Sequence, residues 1–526
     1  MSEADALGRI LRTSMPYTDN GESKTAITEL YYDENGNQIR VVDANNTPLP
    51  ENQQKAFTYT YSATDLVLSE TDPAGNKTTY TYDALGNRLS MTDPRGNSGR
   101  YNGDFTIIYK YDDLNRLVEG YLPKSRGDGE KPLVKLTYDA RGNLTECIEP
   151  DGAKTVYTYS RRNFLLTEAI TGSGKSYQTQ HFYDLVGNEI KVRDAKGNET
   201  IKEYDEVNRL ARITYPEGNS EQFEYDENGN QIAQLNGRYY RTEYRYDRYN
   251  RLLEVEEITS RVKTVYQYDR WGNMTQMINP LSHATSYRYD ELNRLLEEVN
   301  PEQKKQSFRY DAVGNRSQSL DPNGAVSSYE YFPNNLLKKL TITKEDPIQG
   351  QKTQTLAYDY DEAGFGKRTS IDGVVTEYNI DNGVYQPDPY GRIYKETKSF
   401  AGKTSTVEYK YDVMGQVTGV KYPTGKWVGY EYNNLGELTK VPGFIEDTPR
   451  YDQGGMLMGL TATNQIATTY DYDKNGRLTV LNYNNQSSEL LKGYSLSYDA
   501  ANNIIKKNDD TFSYDSLNQL LFANLK

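Results

Sequence analysis

The pair Tyr-Asp returns through the middle of the chain at a spacing close to 21 residues: Tyr183-Asp184, Tyr204-Asp205, Tyr225-Asp226, Tyr246-Asp247, Tyr268-Asp269, Tyr289-Asp290 and Tyr310-Asp311. A fixed period on this scale marks a repeat architecture. One such unit is too short to enclose a core, so neighbouring units must stack and the chain folds as one extended array. Function then has to be argued from the array.

Each period holds two turns of the same chemistry. In Asp83-Ala84-Leu85-Gly86 an Asp opens the turn and a Gly closes it, the pattern of a type I turn followed by a left-handed residue. In Asp290-Glu291-Leu292-Asn293 the closing residue is Asn, which tolerates the left-handed region best after Gly. The other half of the period repeats the pattern at Asp72-Pro73-Ala74-Gly75, Asp93-Pro94-Arg95-Gly96 and Asp321-Pro322-Asn323-Gly324. Removing four turn residues from each half leaves strands of ~6 to 7 residues, so the period reads as a β-hairpin. Ahead of each Tyr-Asp the sequence alternates, as in Tyr80-Thr81-Tyr82, Tyr244-Arg245-Tyr246 and Tyr409-Lys410-Tyr411, which puts aromatics on one face and Thr, Arg or Lys on the other.

The repeats alternate in kind. Turns after Tyr183, Tyr225, Tyr268 and Tyr310 end in Gly-Asn, whereas those after Tyr204, Tyr246 and Tyr289 end in Asn-Arg-Leu. The structural unit is then a pair of hairpins, and the two kinds of corner are candidates for two distinct rows. Only 36% of residues are hydrophobic, a count that includes 49 Tyr, so tyrosine must supply much of the buried area. Counting 21 Tyr-Asp-type units predicts about 40 strands. At ~4.8 Å per strand the ribbon would be on the order of 190 Å long. Open twisted sheets rarely exceed ~10 strands without curling or closing. The predicted fold is all-β: a long antiparallel sheet of tandem hairpins wound into a spiral or a wide, hollow barrel-like shell.

Formal net charge is -14 and no long basic run occurs, which disfavours nucleic acid as a partner. No apolar run approaches 18 residues, and the N-terminal residues carry no signal-peptide pattern. No catalytic, cofactor-binding or metal-binding residue is assigned. His181 stands two residues before Tyr183, where other units carry Tyr or Phe, and reads as an aromatic substitute; His283 sits in an ordinary repeat. Cys147, the single cysteine, lies in strand register and reads as a small packed side chain. Asp33-Glu34-Asn35-Gly36-Asn37 resembles the start of a calcium loop, but Gly falls at position 4 rather than 6 and strands flank it, so it reads as a turn.

Segments such as Tyr82-Asp83-Ala84-Leu85-Gly86-Asn87-Arg88-Leu89, followed by Asp93-Pro94-Arg95-Gly96-Asn97, resemble the YD repeats of the RHS family. That family includes bacterial polymorphic toxins, WapA-type wall-associated proteins, C components of insecticidal toxin complexes, and teneurins. The resemblance covers essentially the whole chain. It implies a spiralling sheet that forms a hollow, non-enzymatic shell, secreted or on the cell surface, with the remainder of the shell and an enclosed effector polypeptide as partners and no cofactor. The competing expectations are a carbohydrate-binding adhesin, using a solvent-facing Tyr and Asn ladder, and a structural stalk.

The family's complete toxin shells end in a segment with self-cleaving aspartates. None follows Tyr514-Asp515, and Asp5-Ala6-Leu7-Gly8-Arg9 resembles a repeat turn without its Tyr. The expectation is therefore one continuous array over 1–526, truncated at both ends. Within it, 1–331 is regular, 332–410 is irregular with longer connections, and 411–526 returns to repeats. The irregular stretch is expected to form elongated hairpins or loops, or else a contact surface for a partner or cargo, because binding features concentrate on loops held by a rigid scaffold.

Overall fold

A computed structural model describes residues 1–19, 22–125 and 129–525. Among these residues there are 49 strands, one 3-10 turn at Glu51–Gln53 and one four-residue helical turn at Pro94–Asn97. Strands pair antiparallel with their chain neighbours, hairpin after hairpin. One sheet takes in 37 strands from Ser2–Ala4 to Trp427–Gly429, and an eight-stranded sheet runs from Arg450–Tyr451 to Leu520–Asn524. Two two-stranded ribbons complete the set: Ile380–Asp381 with Val384–Tyr385, and Glu431–Tyr432 with Leu438–Lys440.

The single continuous sheet expected from the repeats is thus interrupted near 430–450. Pro442, which lacks an N–H, and Gly443 at φ 81° turn the chain there, and Val441 pairs with Ile445 only as an isolated bridge. Tyr430 N–H still donates to the Thr418 carbonyl (2.9 Å), so the order of hairpins is kept.

The repeating corner has one geometry. Thr81 pairs with Ser90 but Tyr82 pairs with Arg88, a one-residue shift that recurs at Glu203/Tyr204 and Arg245/Tyr246. This is the bulge that accompanies a type I turn closed by a left-handed residue, and it increases local twist. The closing residues have the expected conformation: Gly86 has φ 88° and Gly187 107°, with Asn115 at 60°, Asn208 at 66°, Asn250 at 61° and Asn293 at 59°. The Asp93 corner departs from expectation. Pro94–Asn97 coils into a helical turn with Asp93 as its cap, and Gly96 is not left-handed; a Cβ there would lie 2.6 Å from Thr92 Cγ2.

No thick apolar core exists among the described residues: only ten hydrophobic side chains are fully buried. Strands instead alternate half-buried aromatics with exposed Thr81, Arg245, Arg288 and Lys410, as the period-2 pattern predicts. The one buried apolar cluster, Tyr17, Ala26 and Ala44, packs against Leu292, Ala312 and Val313, residues far away in the chain. Contacts of that kind define the winding of the sheet.

Candidate functional site: the corner rows and the seam between tiers

Most corners after the tyrosine begin with an Asp, and at Asp83 and Asp205 its two carboxylate oxygens have separate duties. Asp83 Oδ1 accepts the backbone N–H of Leu85 and of Asn87 (both 2.9 Å), while Oδ2 accepts Asn87 Nδ2 (2.9 Å). At Asp205 the acceptor pattern is the same, with Arg209 Nε in place of the amide (2.7 Å). The Asn87 side chain, then the turn amides, hold the Asp83 carboxyl below its ordinary range. Asp33 is used identically by Asn37, so the calcium-like segment is an ordinary corner.

The residue after the left-handed position links one corner to the next. Gly-Asn corners donate to the following Asn-Arg corner: Asn188 Nδ2 to Asn208 Oδ1, Asn230 to Asn250 (both 2.9 Å) and Asn273 to Asn293 (2.8 Å). Asn-Arg corners donate onward to the next Gly-Asn corner: Arg209 Nη1 to the Asp226 carbonyl (2.6 Å), Arg251 to Asp269 (2.7 Å) and Arg294 to Asp311 (2.9 Å). The same guanidinium groups stack over the next tyrosine, Arg209 on Tyr225 at 4.8 Å and Arg251 on Tyr268 at 4.9 Å. The two corner types therefore alternate along one row rather than forming two rows. Their alternation is a chain of donors and acceptors.

In many Tyr-Asp pairs the tyrosine donates its hydroxyl to the main chain of the preceding hairpin: Tyr82 to Val67 O, Tyr225 to Leu210 O, Tyr268 to Leu252 O (each 2.9 Å) and Tyr310 to Leu295 O (2.8 Å). This is why the position is Tyr rather than Phe. Part of the Tyr and Asn ladder is thus engaged in bonds within the wall.

A second set of contacts joins residues 256 to 294 positions apart. That separation corresponds to roughly thirteen repeat periods, so the sheet winds into two tiers and the corners after Tyr-Asp in the second tier sit on the opposite corners of the first. Thr18 Oγ1 meets Glu291 Oε1 (2.9 Å) and Asn45 Nδ2 meets Asp311 Oδ2 (2.8 Å). Farther along, Lys175 meets Glu437 (2.8 Å), Lys196 meets Asp452 (3.0 Å), and Asn475 Nδ2 meets Asn219 Oδ1 (2.9 Å). Arg238 reaches the Tyr514 and Asp515 carbonyls, and Ser516 donates to Glu257. The seam is not sealed throughout: a cleft of about 740 Å³ opens between tiers, with Tyr177, Lys196, Asn219, Lys474 and Arg477 in its lining.

The tightest part of the seam involves the helical turn at Pro94–Asn97. Arg95 is 2% exposed, stacks between Phe105 and Phe365 (4.9 and 4.8 Å), and donates to the Asp388 and Pro389 carbonyls (both 2.7 Å). Asp361 lies 3.6 Å away and accepts the Tyr385 hydroxyl (3.0 Å). Burial pushes the Asp361 carboxyl above its ordinary value, and burial followed by the Asp361 charge pushes the Tyr385 phenol strongly upward. Burial also acts to raise Asp388, but Arg392 and Ser125 outweigh it and leave that carboxyl lowered. The irregular stretch contains an elongated hairpin, Leu337–Asp346 with Gly350–Tyr360, and its Asp388 and Pro389 dock within the chain on Arg95 of the first tier.

His181 and Cys147 both lie within strands of the main sheet. His181 Nδ1 pairs with Glu189 (2.6 Å), which also binds Lys202, inside an ordinary strand pair. Cys147 is half-buried beside Glu149, and desolvation followed by the Glu149 charge pushes its thiol up to about 11, away from the reactive thiolate. The seam was missed by sequence reasoning, because the pitch that sets its offset leaves no local mark; Arg95 read only as a turn residue.

Comparison with known proteins matches residues 61–98 to the RHS Repeat family and residues 188–365 to the Teneurin YD-shell family. Teneurin-3 from Danio rerio is 26% identical over 181 residues, and Teneurin-3 from Mus musculus 25% over 181; each alignment covers 30% of this chain and 6% of the relative. Among solved structures, TcdB2-TccC3 superposes with TM-score 0.74 at 13% identity, covering 97% of this chain and 32% of that one. The Photorhabdus luminescens Tc holotoxin pore gives TM-score 0.74 at 15% identity, covering 97% and 30%. The chain therefore spans about a third of the solved chains it matches. Over the matched residues it resembles RHS and YD-shell repeats, and its fold is that found in these toxin-complex structures.

Proposed function

We propose that this chain is a non-enzymatic wall segment of a hollow, extracellular YD shell that encloses an effector polypeptide, with 1–526 acting as one continuous array. The observation that carries the reading is the seam. Tiers bonded corner to corner make a wall tied both along the sheet and across it, which an adhesive ribbon or stalk does not need. Similarity to the Teneurin YD-shell family and to the Tc holotoxin fold supports it. The corner aspartates, as caps for their own turns, are committed to structure rather than acid-base work.

Electron microscopy of the purified chain is expected to show a wall one sheet thick around a solvent-filled lumen. Limited proteolysis of the protein in its native context is expected to leave an enclosed polypeptide intact until the wall is cut. A solid particle or an extended rod would overturn the shell; prompt digestion of the enclosed polypeptide beside an intact wall would overturn encapsulation.

A further inference from the structure

The two-tier winding leaves two rims of different kind. In the second tier, the third residues of the first two corners after Tyr-Asp are covered, Leu292 and Val313 packing on Tyr17, Ala26 and Ala44 of the first tier, whereas Met414 and Leu517 farther along stay partly exposed. In the first tier the same position is open, and it carries Leu85 (75% exposed), Leu114, Val207, Tyr249 and Trp271 (64% exposed). The opposite corners of the second tier form the other rim and expose Leu281, Ile348 (92%), Phe400 (58%) and Phe444. Apolar tips repeated along a rim are a docking signature rather than scattered surface hydrophobics.

We propose that these rims bind one another in separate copies of the chain: the Tyr-Asp rim of one copy seats on the opposite rim of a second, continuing the spiral. The occupant is argued from the seam itself, where this chain already joins a Tyr-Asp corner row to an opposite corner row, through apolar tips at Leu292 and Val313 and, farther along, through ion pairs such as Lys196 with Asp452. A stable interface buries about 800 Å² per partner, so a dozen corners need contribute only about 70 Å² each. The contact is heterologous, so it does not close on itself and copies add head to tail. It stands whether or not the lumen holds cargo.

Sedimentation velocity of the intact chain over a concentration series is expected to show growing multiples of the monomer mass. Leu114→Glu with Trp271→Glu, or Ile348→Glu with Phe400→Glu, should each weaken association at least ~10-fold, with circular dichroism unchanged. A mixture of the two double variants should form one-to-one dimers, because each retains one good rim. If glutamate unfolds a corner, serine at the same sites keeps the comparison. A chain that stays monomeric up to roughly 100 µM, association that survives both double variants, a mixture that stays monomeric, or association only with some other added polypeptide would each overturn the second-copy interface.

Discussion

At the scale of single residues, the Tyr-Asp pair divides its work between hydroxyl and carboxylate. Tyr225→Phe keeps the ring and deletes only the bond to Leu210 O, so it should cost about 1 kcal/mol in urea unfolding. Tyr239→Phe at an exposed corner should stay within about 0.5 kcal/mol. Asn208 holds two properties together, a left-handed backbone and the acceptor for Asn188. Asn208→Val should lose about 1 to 2 kcal/mol, whereas Asn208→Gly restores the backbone and loses only the acceptor, so the glycine variant should be the more stable of the two by urea midpoint. The turn type was legible because Asp and Gly or Asn recur at fixed offsets. It was not legible that Asp65, Tyr239, Ser282 and Gln303 would also close corners in the left-handed region, since bulge geometry imposed by the neighbouring strands overrides their own preference.

At the scale of elements, strand length, alternation and hairpin order follow from the two-turn period, which sets one face of half-buried aromatics against another of Thr and cations. The interruptions lie where local chemistry withdraws a ladder bond, as at Pro442, or where a distant contact reshapes a turn, as at Arg95. That helical turn is legible only in part: Asp-Pro announces a turn, but burial of the guanidinium between Phe105 and Phe365 depends on Phe365, 270 positions away. Removing Arg95 leaves Asp361 buried without its nearest cation. Arg95→Met should therefore destabilise by about 3 to 5 kcal/mol, whereas Lys304→Met, at an exposed pair with Glu302, should change stability by less than about 1 kcal/mol. Thermal unfolding monitored by circular dichroism checks the contrast. Equal effects from the two would show that the Arg95 cluster does not hold the tiers together.

For the whole molecule, the seam is a line of carboxylates shared between tiers, and their titration couples acidity to winding. Burial acts to raise Glu437, Asp452 and Glu257, yet hydrogen bonds from Lys175 and Tyr177, from the Met456 amide and Lys196, and from Ser260 and Ser516 leave all three lowered, Glu257 to about 2. Asp388 is lowered as well. A carboxyl lowered in the folded state stabilises fully above its unfolded value, ordinarily 4.5 for Glu and 3.8 for Asp, and this is lost as pH falls through the folded value. Asp361 is raised and works in the opposite sense: its contribution is complete below 3.8 and lost as pH rises through its folded value. Four groups outnumber one, so the seam should weaken progressively from about pH 4.5 down to about pH 2, while the hairpins, held by main-chain ladders, persist. Small-angle scattering is expected to show an increased radius of gyration at about pH 2 relative to pH 7 with strand content unchanged by circular dichroism. Glu437→Gln, which keeps the shape and removes one titrating site, should diminish that response. A radius independent of pH, or one that grows only when strand signal is lost, would show that the ladder alone sets the winding.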